Sequence, residues 1–138
     1  HKYSYNGSVA SKNKIDLIKY AFQFLNAPYL WGGKSVLGID CSGFTQQVYG
    51  LSGYNIPRDA YQQERIGKAI LYENRKSSDI VFFLKNNRIH HVGILINKNQ
   101  IIHASGKVRI DGFNEMGIIH NKSKLLTHHF HSIRRIIE

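Results

Sequence analysis

Hydrophobic positions along this chain follow two different periods. From Ser11 to about Asn26, the residues Ile15, Ile18, Phe22 and Leu25 recur at three- and four-residue intervals, which predicts a helix capped by Ser11 that buries this stripe. Pro28 ends it, because a proline disfavours helical geometry in the residue before it, and Trp31, Gly32 and Gly33 then read as a turn. A second helix is predicted from Cys41 to about Leu51, with Phe44, Val48 and Leu51 inward and Gly53 at its end. Ile56, Pro57, Arg58 and Asp59 open a short third helix reaching about Arg65. The pattern then becomes strand-like, with apolar β-prone runs at Ile80–Leu84, His91–Ile96, Ile101–Ala104, Val108–Ile110 and Ser132–Ile137. Helices first and antiparallel strands afterwards argue for an α+β fold: N-terminal helices packed on a curled antiparallel sheet of about five to six strands. Residues 1–10 are polar and read as a linker remnant or tail, leaving residues 11–138 as one domain.

Composition narrows this picture modestly. The 138 residues, 42% hydrophobic, suffice for one core. No run approaches membrane-spanning length and no N-terminal apolar segment resembles a signal peptide; starting at His1, the chain is read as a processed product or an excised domain. One cysteine forms no intramolecular disulfide, so cysteine usage does not assign a compartment. The net charge of +10 raises nucleic acid as a partner, but the basic residues are scattered in short clusters such as Lys122 to Lys124, with no reading helix. A solvated basic surface accounts for the charge, and attraction to an anionic envelope fits it too. No cofactor is expected, and a monomer is the default.

The chemistry centres on Cys41, which lies where a glycine-punctuated loop meets a helix. A helix start offers unpaired N–H groups and a partial positive charge, which favour thiolate. A cysteine nucleophile also needs a base and a group to orient that base, and His91 and His103 sit in strands downstream. Side chains alternate faces along a strand, so these histidines share a face only if the turn between the two strands has odd parity. That register, or a bulge giving the same parity, puts His103 opposite Gly93 and diagonal to His91, with His90 pointing away. His90, His120, His128, His129 and His131 read as surface or satisfied histidines, and no metal site is expected from them. The backbone N–H of Cys41 and the hydroxyl of Tyr29 are candidates for holding an oxyanion. Arg58 and Asp59 are read as fixing loops around the cleft.

Short motifs add to this reading: Pro28-Tyr-Leu-Trp-Gly-Gly33, Gly38-Ile-Asp-Cys-Ser-Gly-Phe44, Ile56-Pro-Arg-Asp59, Asp79-Ile-Val-Phe-Phe83, His91-Val-Gly-Ile94 and Ile102-His-Ala-Ser105. In this order, from about Ile15 to Arg135, the chain resembles the NlpC/P60 family of cell-wall cysteine peptidases, and within it the γ-D-glutamyl-diamino-acid endopeptidases that carry SH3-like domains upstream. The resemblance implies a papain-like arrangement and peptidoglycan stem peptides or muropeptides as substrate. It implies cleavage between γ-D-Glu and a diamino acid, diaminopimelate or lysine, through a thioester acyl-enzyme. It matches Tyr29, Asp40 and Ser42 to substrate-binding positions around Cys41, with Asp40 helping to hold the free amino end of the stem peptide. Asp40 is also placed to cap the Cys41 helix, and the two roles compete for the same oxygens. Two departures stand out: Ser77-Ser-Asp79 replaces the family's usual Gly-Asp turn, and these 138 residues include no SH3-like segment, such domains being expected upstream in the full-length protein. The implied location is the cell envelope, periplasmic or secreted, with a cytoplasmic recycling enzyme as the other reading. Competing functions are a thiol acyltransferase or lipid-directed enzyme on the same Cys-His-His core, and a catalytically silent wall-binding domain.

Overall fold

The computed structural model describes residues 14–137, so the Ser11 cap, residues 1–10 and the side chain of Ile15 lie outside it. Helix α1 spans Lys14–Phe22 and tightens into a turn through Leu25 before Asn26 takes a left-handed φ of 70°. Its buried face matches the expected one only in part. Leu17, Ala21 and Phe24 are buried, Ile18 and Leu25 are partly so, and Phe22 is 40% exposed. Both stripes satisfy helical spacing; the small Ala21 faces inward, and Phe24 beyond it meets Phe44 edge to face at 5.9 Å.

Residues 28–40 form a loop stitched to the rest of the domain. The amide of Asn26 donates to Val108 O, that of Val108 to Ala27 O, and that of Tyr29 to Gly106 O. Within the loop, strands β1 (Lys34–Ser35) and β2 (Gly38–Ile39) form a small hairpin. Gly32, at φ 79°, occupies the third position of a turn closed by Gly33 N–H to Leu30 O, a conformation L side chains rarely adopt. A Cβ on Gly33 would lie 2.3 Å from Gly38 O, so the loop closes only around a glycine.

Helix α2 (Cys41–Leu51) has the predicted span. Phe44 and Val48 are buried as expected, but in the last turn Tyr49 is the buried side chain, its hydroxyl donating to Ser78 O, and Leu51 is left 45% exposed. The helix ends at Gly53, whose N–H reaches Gly50 O while that of Tyr54 reaches Tyr49 O. The short α3 (Ala60–Gln63) begins from an Asp59–Gln62 capping box.

Strands β3 (Lys68–Ile70), β4 (Ile80–Lys85), β5 (Arg88–Asn97), β6 (Gln100–Ser105), β7 (Lys107–Asn114), β8 (Gly117–Ile119) and β9 (Leu126–Arg135) pair antiparallel. Because β9 pairs with both β4 and β8, six strands close into a barrel, and β3 adds a seventh along the far end of β9. The sheet is thus closed where the sequence suggested only a curl, and β3 and β8 went unread because each is three residues long. The last strand starts at Leu126 rather than Ser132: Thr127, His129 and His131 face outward, so the segment reads as polar. The two faces of the sheet serve different cores. Ile80, Phe82, Val92, Ile94 and Ile102 pack with the helices, whereas Val81, Phe83, Leu95, Ile101, Phe113 and Ile118 form a second cluster on the barrel's inner side.

Before β4, Ser78 adopts φ 77°, the left-handed geometry that the family's usual glycine takes freely, and the next residue, Asp79, is buried against Arg135 at 2.7 Å. The departure from the family pattern is therefore absorbed in one backbone position.

Candidate active site

The β5–β6 register decides whether the two histidines meet. Ile94 pairs with Ile102 and Leu95 with Ile101, after which a bulge lets Asn97 pair with Gln100 across a two-residue turn. This is the bulged form of the predicted parity, and His91 Nε2 lies 2.8 Å from His103 Nδ1. Gly93 leaves the room for it: a Cβ there would approach His103 Cβ to 3.0 Å and Ile101 Cδ1 to 2.8 Å.

Behind the pair stands a carboxylate that sequence reasoning missed. His103 Nε2 lies 2.7 Å from Asp111 Oδ2, which also accepts from Arg109 Nε at 2.8 Å, while Asp111 Oδ1 accepts from the Asn121 amide at 2.8 Å. The register held the signal: His103 pairs with Arg109, so Arg109 and Asp111 fall on its face of the sheet. Burial alone would raise the Asp111 pKa, but the donors from His103, Arg109 and Asn121 hold it far below the usual carboxylate range. An ionised Asp111 only accepts, so His103 carries its proton on Nε2 and presents a bare Nδ1. His91 must then donate from Nε2, which leaves its Nδ1 as the basic nitrogen.

A second correction concerns His128, read from sequence as having no partner. Its ring stacks on that of His91 with centroids 4.1 Å apart and 26° between planes, and meets His103 edge to face at 5.6 Å. Burial pushes the pKa of His91 well below 6.5 and that of His103 below it despite Asp111, and brings that of His128 down to about 4. All three rings are neutral in the folded protein at pH 7, whereas each binds a proton near pH 6.5 when unfolded. The unfolded chain therefore holds more protons as pH falls from about 7 to about 4, and folding stability is lost across that window. Urea unfolding at several pH values will show this slope, and replacing His128 with Phe will make it shallower; a flat profile would contradict burial of three neutral rings.

Cys41 opens α2 from a cleft of about 560 Å³ whose lining includes Tyr29, Trp31, Asp40, Ser42, Arg58 and Tyr61. Ile89 and His90 of β5 complete one wall, and His91 lies beneath the surface at 5% exposure. Contrary to the helix-start expectation, burial and then the Asp40 charge push the Cys41 thiol up to about 11, against N–H groups of Val92, Ser42 and Cys41 directed at the sulphur. Val92 directly follows His91, so β5 is the element that joins thiol and histidine pair. At neutral pH both partners are uncharged, a thiol and an imidazole.

Asp40 is occupied by the protein itself. It caps α2 through the Gly43 amide at 2.7 Å, accepts from the Gly32 amide at 3.0 Å, and is gripped by both terminal nitrogens of Arg58 at 3.1 and 2.9 Å. Burial raises its pKa, but these donors, Arg58 foremost, outweigh it and keep the carboxylate ionised. Arg58 also donates to Ser42 Oγ at 2.9 Å, which bears out its reading as a residue that fixes the cleft loops. Burial, with the Cys41 and Asp40 charges, raises the pKa of Tyr29, so its hydroxyl stays a donor. Among the described residues no cluster of metal-binding side chains occurs.

Helices packed on a small antiparallel barrel, with one cysteine opening a helix and paired histidines on adjoining strands, define a sheet-rich α+β domain. The NlpC/P60 family pattern matches residues 26–132, and the chain belongs to the NlpC/P60 family. Over 92 residues it is 40% identical to the gamma-D-glutamyl-L-lysine dipeptidyl-peptidase of Bacillus subtilis (strain 168), covering 64% of this chain and 31% of that protein. Over 90 residues it is 40% identical to the murein DD-endopeptidase MepS/murein LD-carboxypeptidase of Escherichia coli (strain K12), covering 63% and 48%. An NlpC/P60 family crystal structure from Bacillus cereus ATCC 10987 superimposes with a TM-score of 0.80 at 32% identity, covering 94% of this chain and 42% of that one. The chain thus spans less than half the length of each of these relatives.

Proposed function

We propose that this domain is a cysteine peptidase that hydrolyses peptidoglycan stem peptides between γ-D-Glu and the diamino acid, acting in the cell envelope. The observation that carries the reading is the hydrogen-bonded line from His91 through His103 to Asp111, which starts in β5, the strand whose Val92 N–H meets the Cys41 thiol. In the first step His91 Nδ1 takes the thiol proton as sulphur attacks the carbonyl carbon. Because thiol and imidazole are both neutral at rest, transfer and attack belong to one step. The oxyanion is held by the Cys41 N–H and the Tyr29 hydroxyl. Imidazolium His91 then protonates the leaving amine, the C–N bond breaks, and a thioester remains. Water, deprotonated by His91, attacks the thioester; the γ-glutamyl carboxylate departs and the thiol is restored.

Ser42 and Asp40 shape the amino-terminal side of the substrate site. An amine bound at Asp40 has to share an oxygen with Arg58, since the Gly32, Gly43 and Arg58 donors already engage both oxygens. Related proteins carry names for different bonds, so the bond is the point to test. Mass spectrometry of L-Ala-γ-D-Glu peptides ending in diaminopimelate or lysine, with and without a terminal D-Ala, separates the cases. The expected products are L-Ala-γ-D-Glu and a fragment beginning with the diamino acid. Release of D-Ala alone would move the activity to another bond, and transfer of the acyl group to an added amine in preference to water would make the domain an acyltransferase.

A further inference from the structure

We propose that His128 is a positioning residue for His91: its imidazole lies flat on the His91 ring, blocks rotation of that ring about its Cβ–Cγ bond, and shields it from water. The proposal rests on His91 being the base of the hydrolase described above. It comes from β9, where Leu126, His128, Phe130 and Ser132 are the less exposed positions of an alternating strand, so His128 occupies an inward position. Its ring touches His91 face to face at 4.1 Å, His103 edge to face at 5.6 Å and Phe83 at 6.0 Å, while Thr127 Oγ1 lies 2.8 Å from its Nδ1.

The physical need is specific. The hydrogen bond from His91 Nε2 to His103 fixes one edge of the base, but a single bond at 2.8 Å still permits the ring to swing out of plane. A half-turn about Cβ–Cγ would carry Nδ1 away from the thiol, and that sweep passes through the volume His128 fills. Phe83, tilted at 5.9 Å, contacts the same ring and narrows the space further. Stacking also acts on charge, because the imidazolium formed on His91 during attack then rests against the π face of a neutral ring. The charged and titratable groups facing His128 are His90 and His91 from β5, His103 from β6, and Arg109 and Asp111 from β7. Burial, ahead of the charges of these neighbours, keeps His128 itself unprotonated.

The test compares His128→Ala with His128→Phe, which keeps a stacking ring and removes both nitrogens. On the stem peptide, His128→Ala should lower kcat about tenfold with KM within about twofold, and should move the acid limb of the pH profile upward as water reaches His91. His128→Phe should stay within about threefold of the parent in kcat. If His128→Ala does not fold by circular dichroism, His128→Gln, which fills the space without a ring, takes its place with the same expectation. Nitrogen NMR of the histidine side chains, in the Cys41→Ala background and without turnover, supplies the readout independent of hydrolysis. There the His91 pKa should rise by about one pH unit on loss of the ring and remain parental in His128→Phe. A parental kcat, pH profile and His91 titration in His128→Ala overturn the proposal, as does a Phe variant as impaired as the Ala variant. If the parent cleaves no peptide while the His91 titration still moves in His128→Ala, positioning stands and the hydrolase reading falls.

Discussion

Replacement of Cys41 with Ala will reduce stem-peptide cleavage by about 10⁴-fold or more, to the rate without protein, while the domain stays folded. The size follows from the chemistry: without sulphur no acyl-enzyme forms, and an N–H and a hydroxyl aimed at an oxyanion have nothing to stabilise. Folding should survive because Cys41 makes no disulfide and is only partly buried, and because α2 is capped by Asp40 rather than by the thiol. The fitting control is the neighbouring histidine. His90 lines the cleft beside Cys41, so its position alone would make it a rival base. It belongs to no hydrogen-bonded line toward Asp111, and His90→Ala should keep kcat within about threefold, whereas His91→Ala should lose about 10³-fold or more. Substantial cleavage by Cys41→Ala would end the thiol mechanism; reversal of the two histidine results would move the base to His90.

Asp111→Asn is expected to lower kcat by about 10³-fold with a small change in KM, although Asp111 lines no part of the cleft. The carboxylate is only 2% exposed and accepts three donors, from His103, Arg109 and Asn121. An asparagine has one acceptor oxygen, and its NH₂ must face at least one of those donors. With the NH₂ in the Oδ2 position, His103 relocates its proton to Nδ1 and donates to His91 Nε2, which forces the His91 proton onto Nδ1 and removes the lone pair that receives the thiol proton. Stability should fall as well, by about 1–3 kcal/mol, because a buried group loses hydrogen bonds and Arg109 loses its ion pair. Steady-state kinetics with urea unfolding reads both effects. A loss under about tenfold would mean that His103 sets the His91 tautomer without help from the carboxylate.

The helices show how far a pattern can be read. Helical spacing located α2 to the residue, because a loop rich in glycine stops at Cys41 and Gly53 supplies the left-handed end. The same spacing found only the edge of the buried face of α1, since Ile18 and Leu25 pack against the core while Phe22 turns outward, and packing against α2 centres the face on Leu17, Ala21 and Phe24. Strand parity went further than helical spacing: it required His103 to share a face with His91, and the bulge before Asn97 supplies that register. The identical argument carried one strand onward reaches Asp111, and applied to β9 it reaches His128. Neither residue announces itself in the sequence, because nothing local marks an aspartate in an apolar strand or a histidine among polar residues as buried.

By itself, then, the sequence determined the order of helices and strands, the placement of Cys41 at a helix start, and the parity that brings two histidines together, because these depend on local periodicity and on neighbours within one hairpin. Closure of the barrel, the carboxylate behind His103, the ring stacked on His91, the Arg58 grip on Asp40 and the upward displacement of the thiol pKa were decided by tertiary structure. Each depends on which distant segments share one buried space, and burial, unlike periodicity, is a property of the assembled fold.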